Sequence, residues 1–419
     1  MRILWLSNKN LSVNETGRTG TWLDAMAAKL MASGQVELIN LSIGAVKSSR
    51  RIDYDGIQQW TIPVASLCSN GLPPRPIVEE IIKIEREAAP DIIHVWGTEI
   101  YSGLLTARRL LNTPAILEIQ GLKEPYARSY LGGLNSRDQW ACIGLKECIK
   151  LRNMRSNQRD FAKWSPFERE IIAGHNFICT QTTWVDAWVR ACNTAAQLFH
   201  TDLMLRAPFY ETTSWQGARN PIIFCSAAYP VPYKGVHDAI RAAVLLRRKY
   251  PSIKLRIGGA LQSKGVRQDG YMAWINTMVC QLNLTNNIEW LGPLTASDIV
   301  KELQASSAML IPAHIENCCT AMQEAMIVGT PVVASCVGGL PSVARDEESV
   351  LFFSPGDEVM CAYQLDRVIS DNTLAVKLSQ NARVLALVRN DPGTIIQRQL
   401  SIYRHIKEKA TVHGGGSNI

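Results

Sequence analysis

Short apolar runs alternate with helical periodicity along this chain, and the alternation starts twice. In the first half, ILWLS (Ile3–Ser7) precedes a helical pattern over Thr21–Ser33 that Gly34 ends. VELINL (Val36–Leu41) reads as a second strand, and a helical pattern over Pro76–Ala88 leads through Pro90 into DIIHVWG. A further helix, Gly103–Leu111, leads through Pro114 into AILEIQG, and Phe177–Thr180 is one more strand. Strands that alternate with helices need crossover connections, which build a parallel sheet with helices on both faces.

The pattern breaks at residues 207–220, where APFYETTSWQGARNP is rich in proline, glycine and polar residues and reads as a linker. It then restarts with IIFCSAA, a helix over Val236–Tyr250, KLRIGG, a helix over Gly270–Leu282, NIEWLG, AMLIPA, a helix over Thr320–Val328 and PVVAS. The expected organisation is a first domain at 1–206, a linker at 207–220, a second domain at 221–393, a helix at 394–410 and a flexible tail at 411–419. Two such open sheets place ligands in a cleft at their C-terminal strand ends.

Composition narrows the class. With 47% hydrophobic and 19% charged residues in 419, the chain reads as globular, and no apolar run approaches the ~18–20 residues that span a bilayer. MRILWLSNKN is too short in its apolar part for a signal peptide and suits a buried first strand. Eleven scattered cysteines with no CxxC pair describe neither a disulfide framework nor a zinc site, which points to a reducing cytoplasm. The net charge of +7 is uneven: Lys146–Lys163 holds six basic residues against two acidic ones, interleaved with Ile149, Met154, Phe161 and Trp164. A solvated helix face and contact with an anionic membrane both account for it. Nucleic acid is not expected, because no binding motif accompanies the charge.

Candidate chemistry follows strands. Lys234 and Gly235 open the helix that begins near Val236, where unpaired N–H groups and the helix dipole favour an anion. Glu316 falls in the loop after AMLIP and Glu324 falls on the next helix, among very apolar neighbours. A carboxylate in such a place needs partners. A cap for Glu316 and a salt bridge for Glu324 would supply them; so would the hydroxyls of a sugar or ribose. Gly338–Gly339, after the next strand, allow close backbone approach to a ligand. His94 ends a buried strand and reads as structural, while His314 suits either role.

Taken in order, Glu316, seven residues, Glu324 and then EAMIVGTPVVASCVGGLPSV resembles the donor-site signature of retaining glycosyltransferases of family four, which have the GT-B fold. KG opening a helix that ends KYPSIKLRIGG, followed by WLGPL, keeps the family's order. The likeness covers most of residues 220–395. GTWLDAMAAKLMASGQVEL resembles the family's first loop and helix, and IHVWGTE, EIQG and RAPFYETTSW are similar to the branch that acts in capsular and surface polysaccharide synthesis.

The resemblance implies an α/β GT-B fold of two doubly wound Rossmann-like domains facing a cleft. It implies transfer of a sugar from a UDP- or GDP-linked donor to a glycan or lipid-linked acceptor, with no metal and no further cofactor. Glu324 would hold the ribose; Glu316 with Asn317, Cys319 and Thr320 would meet donor sugar and diphosphate. Lys234 would neutralise the leaving group, and Gly20 would let the backbone approach from the other domain. Three departures stand out. Where members carry an arginine before the lysine, this chain has Ala227, Ala228 and Tyr229, so neutralisation is weaker or comes from elsewhere. Where members often place a histidine, it has Gln120, which hydrogen-bonds a sugar but cannot act as a base. The loop NCCT replaces glycine and should narrow the sugar pocket. A sugar-nucleotide epimerase of the same fold and a non-catalytic sugar-nucleotide-binding protein are the alternatives. A nicotinamide oxidoreductase is disfavoured, since ILWLSNKNLSVNETG has no GxGxxG. The expected location is the cytoplasm, with peripheral contact at the inner face of the membrane.

Overall fold

The apolar runs become two sheets. In the computed structural model, residues 1–12, 22–218, 220–226, 231–259 and 269–414 are described, with side chains through residue 411. The first sheet comprises β1 (Arg2–Leu6), β2 (Glu37–Gly44), β3 (Arg50–Tyr54), β4 (Ile57–Pro63), β5 (Ile92–Trp96), β6 (Ala115–Glu118), β7 (Phe177–Thr180) and β8 (Gln197–His200). Their order is β3-β4-β2-β1-β5-β6-β7-β8. Every pairing is parallel except β3 with β4, a hairpin whose turn residues Asp55 and Gly56 have φ of 48° and 76°. That left-handed pair matches the twist of a two-residue hairpin turn.

The second sheet comprises β9 (Ile222–Ser226), β10 (Lys254–Gly258), β11 (Ile288–Gly292), β12 (Ala308–Ile311), β13 (Val332–Ser335) and β14 (Leu351–Phe353). It is wholly parallel, in the order β11-β10-β9-β12-β13-β14. Chain order reverses between β1 and β5 in one sheet and between β9 and β12 in the other. Loops at those switch points diverge and leave a crevice. β12 and β13 are buried throughout, which is why they read as unbroken apolar runs rather than alternating ones.

Two excursions tie the domains together. After β6 the chain crosses to the second domain, where Leu134 and Cys142 join a core built mainly from β9, β10 and their covering helices. At the other end, helix Pro392–Gly414 returns to the first sheet. There Tyr403 hydrogen-bonds Trp5 Nε1 at 3.2 Å and His94 Nδ1 at 2.7 Å. Burial pushes His94 down to about 3, so its ring stays neutral and structural. Residues 207–220 begin with a short helix, Ala207–Tyr210, before running irregularly to β9. The tail from residue 411 begins inside the last helix, and 415–419 lie outside the described residues.

Candidate active site

Loops from the C-terminal ends of both sheets enclose a cleft of about 540 Å³. Of the residues singled out in the sequence, Gln120, Lys234, Glu316, Asn317, Cys319, Thr320 and Glu324 all line it. Gly20 and the three residues Ala227, Ala228 and Tyr229 lie outside the described residues.

The two glutamates have different solutions to the problem of an apolar setting. Glu316, buried, accepts from Lys234 Nζ at 2.5 Å. Burial opposes the lysine's charge, but the neighbouring carboxylate outweighs it and holds the ammonium above its ordinary pKa. The loops meet because Gly235 has φ 69°: a Cβ there would fall 1.9 Å from the Pro312 carbonyl oxygen. Only glycine lets the Lys234 turn lie this close to the loop after β12.

Glu324, on helix Thr320–Val328, takes its charge partner from far away. Arg206 NH2 donates to it at 2.8 Å, both groups buried. Arg206 ends the first domain and also lines the cleft. It brings a fixed cation to the second-domain wall from 118 positions before Glu324, so nothing in the local sequence announces it.

Asn317 lines the cleft, but its side chain and the glycine pair after β13 are engaged with protein groups. The Asn317 side chain accepts from Thr182 Oγ1 at 2.9 Å and donates to the Gln120 carbonyl oxygen at 2.9 Å. Its amide is committed to the first domain, and its carbonyl oxygen lies against Gly339. Gly338 and Gly339 pack against the Glu316 loop instead of the cavity: a Cβ on Gly338, at φ 52°, would sit 1.9 Å from the Glu316 carbonyl oxygen. The close approach they permit is to protein backbone. Cys319 is left-handed at φ 38° without being glycine, so the narrowed loop carries backbone strain at the cavity wall.

The first-domain wall is less paired. Gln120 Nε2 is buried and has no partner among the described residues, so its amide is open to a ligand acceptor. Glu99, after β5, lines the same wall. Burial raises its carboxyl to about 7; the nearby Glu168 carboxylate raises it further and Lys123 counters. Lys123, its own pKa lowered by burial, lies 4.9 Å over the Trp164 ring and 5.6 Å over Phe161. Glu99 follows a buried strand that ends WGTE. That position at a strand's C-terminal end was the available signal.

His237, Asp238 and His314 bring their ligand atoms within 4.8 Å of one another. They satisfy each other without an ion: His314 Nε2 meets Asp238 at 2.7 Å, and His237 uses both ring nitrogens on Tyr271 and the Gly132 carbonyl oxygen, each at 2.9 Å. Burial lowers His237 to about 4. His314 is therefore part of the brace under the Lys234 turn.

Residues 211–385 match the family Glycosyl transferases group 1. The matched stretch is somewhat under half of the chain and shows a likeness to that family. The D-inositol 3-phosphate glycosyltransferase of Salinispora arenicola is 29% identical over 156 residues, 36% of this chain and 34% of that protein. The glycogen synthase of Mycobacterium tuberculosis is 29% identical over 170 residues, 41% of this chain and 39% of that one. The matched part thus spans little more than a third of these curated relatives. Likeness of fold extends further. The sucrose-phosphate synthase of Thermosynechococcus elongatus superposes over 97% of this chain and 98% of its own, with a TM-score of 0.74 at 18% identity. Anabaena HepE, solved with UDP and glucose, covers 96% and 98%, with a TM-score of 0.69 at 16% identity. The two facing Rossmann-like domains are the GT-B architecture expected from the sequence.

Proposed function

We propose that this protein transfers a sugar from a nucleotide diphosphate sugar to a hydroxyl of a glycan or lipid-linked acceptor, with retention and without a metal. The observation that carries the reading is the meeting of Lys234, Glu316 and Glu324, from the stretch similar to glycosyl transferases group 1, with Arg206 of the first domain in one cleft at both switch points. The bond from sugar C1 to the diphosphate oxygen breaks, a bond from C1 to the acceptor oxygen forms, and the acceptor proton leaves. Charge grows on the diphosphate, where the Lys234 ammonium, kept protonated by Glu316, neutralises it as it develops. Gln120 is not a base, so the proton passes to the departing diphosphate. Glu324, braced by Arg206, receives the ribose hydroxyls.

The donor is UDP-linked in this reading, in keeping with the UDP bound to HepE. The acceptor belongs to the first domain. The family match lies in residues 211–385, in the second half, and the relatives named for D-inositol 3-phosphate and for glycogen match only 36% and 41% of this chain, which leaves the acceptor side free to differ. Surface polysaccharide synthesis, at the inner face of the cytoplasmic membrane, suits the basic stretch Lys146–Lys163. Among the described residues no helix is long and apolar enough to cross a membrane, so contact would be peripheral. The test is release of nucleoside diphosphate from UDP- and GDP-sugars by purified protein, with the anomeric configuration of the product read by NMR. Stabilisation by a nucleotide sugar with no release would favour a binding protein, and an altered sugar still linked to nucleotide would favour an epimerase.

A further inference from the structure

We infer that the segment carrying helices Ser136–Ala141 and Leu145–Lys150 is a docking surface for an anionic bilayer. It rests on the reading of a lipid-linked acceptor and identifies the side chains that make the contact. Trp140, Leu145, Ile149 and Leu151 are 71%, 65%, 71% and 89% exposed. They fall within twelve residues of chain, and Leu145 and Ile149 share one face of their helix. Leaving a tryptophan and three aliphatic side chains in water costs stability that burial would return, and exposed apolar side chains concentrated in so short a segment point to an interaction site.

Of the apolar residues expected to interleave the basic run, Ile149 faces out and the other three do not. Trp164 is buried, Phe161 lines the cleft, and Met154 packs on the second-domain core. The outward apolar set lies just before and at the start of that run.

Charge is sorted across the segment. Arg137, Lys150, Arg155, Arg159 and Lys163 are exposed and make no ion pair among the described residues. Arg152 pairs with Asp160, and Lys146 reaches Asp269 at 3.2 Å. Asp160 stays exposed beside Arg152, while the other two acids turn inward: buried Glu147 accepts from Gly144 N at 3.0 Å and Gly270 N at 3.2 Å, and Asp138 faces Arg241 at 3.5 Å. The outer surface therefore combines apolar tips with unpaired cations, which suits acyl chains beneath anionic headgroups. A second copy of this chain would oppose cation to cation. Nucleic acid would leave the aliphatic tips without a partner. The inner surface is anchored on the second domain through Cys142 and Glu147, so docking would hold both walls of the cleft close to lipid.

Flotation with vesicles of phosphatidylcholine alone, and of phosphatidylcholine with phosphatidylglycerol, tests this. Wild-type protein should float with the anionic vesicles only and be released by salt, because exposed charges are screened within ~8–10 Å. The doubles Ile149→Ser/Leu151→Ser and Lys150→Glu/Arg155→Glu should each lower partitioning roughly tenfold or more, with unchanged melting temperature. Equal recovery on both vesicle types, or no loss in either double, would overturn the proposal. So would a dimer that Ile149→Ser disperses, or an oligonucleotide that binds as tightly as the vesicles. Donor turnover on a soluble acceptor, measured in the same samples, separates this result from the transferase reading: either can fail while the other stands.

Discussion

The two walls of the cleft meet the same demand, polar groups in a partly dry place, in opposite ways. On the second-domain wall the charges are compensated: Lys234 pairs with Glu316, and Arg206 with Glu324. On the first-domain wall Gln120 Nε2 has no partner among the described residues, and burial raises the Glu99 carboxyl to about 7. A compensated wall is preorganised for a ligand of fixed charge, since donors and acceptors need little rearrangement when it binds. An uncompensated wall waits for hydroxyls to complete it. We assign the donor to the former and the acceptor to the latter, and variants on each wall can break or sharpen that division.

Lys234→Ala should have the largest effect. It removes the cation at the leaving group and strands Glu316, so turnover should fall by about 10²–10³, as for loss of a group that stabilises transition-state charge. Affinity for the free nucleoside should change far less. Steady-state rates against nucleoside titrations check this.

Glu324→Ala should lose on two counts. Stranding one member of a buried pair typically costs about 3–5 kcal/mol of stability. The lost ribose contact, about 1.5–3 kcal/mol, should raise donor KM by roughly 10- to 100-fold. Denaturant melts and donor kinetics separate the two. Glu324→Ala with normal KM and only a lowered melt would make the carboxylate a structural brace.

The legibility of the two walls in sequence differed for a physical reason. Glu316, Glu324 and Lys234 stand in fixed spacing to strands and turns, so local pattern put them near C-terminal strand ends and the family resemblance added the ligand-binding roles; helix Thr320–Val328 and strand Phe177–Thr180 were read with their observed bounds. Arg206 acts through a partner 118 positions away, which no window of sequence reveals, whereas Glu99 stood in a readable place after β5 and was passed over. The β3–β4 hairpin was overlooked although Asp55–Gly56 is a recognised turn pair. Gly338–Gly339 were read as facing a ligand, because sequence shows that a glycine permits close approach but not what approaches. The segment that crosses from β6 into the second domain could not be foreseen from a division at residue 206.

Glu99→Gln sharpens the first wall through pH. A carboxyl raised from 4.5 to about 7 keeps its proton in the folded chain while the unfolded chain loses it. The folded state then binds more protons, so wild-type stability should fall as pH rises from about 4.5 through 7. The Gln variant should lack that decline and gain on wild type at pH 8. Thermal melts across pH 5–8 show it; parallel curves for the two proteins would mean the side chain is already ionised.

Cys319→Gly should be the smallest effect. Relief of a left-handed non-glycine residue is worth of order 1 kcal/mol, partly offset by the greater freedom of glycine in the unfolded chain. The pocket should widen, so the gap in kcat/KM between the preferred donor sugar and a bulkier one should shrink. An unchanged gap would move the sugar away from this loop.

The division of labour is tested most directly by calorimetric titration of UDP and GDP into wild type and four variants. Lys234→Ala and Glu324→Ala should each weaken the bound nucleoside diphosphate by roughly tenfold or more, while Gln120→Ala and Glu99→Gln should leave it within about twofold, inside the ordinary scatter of such contributions. Loss of nucleotide affinity in the first-wall variants equal to that in the second-wall pair would contradict the account.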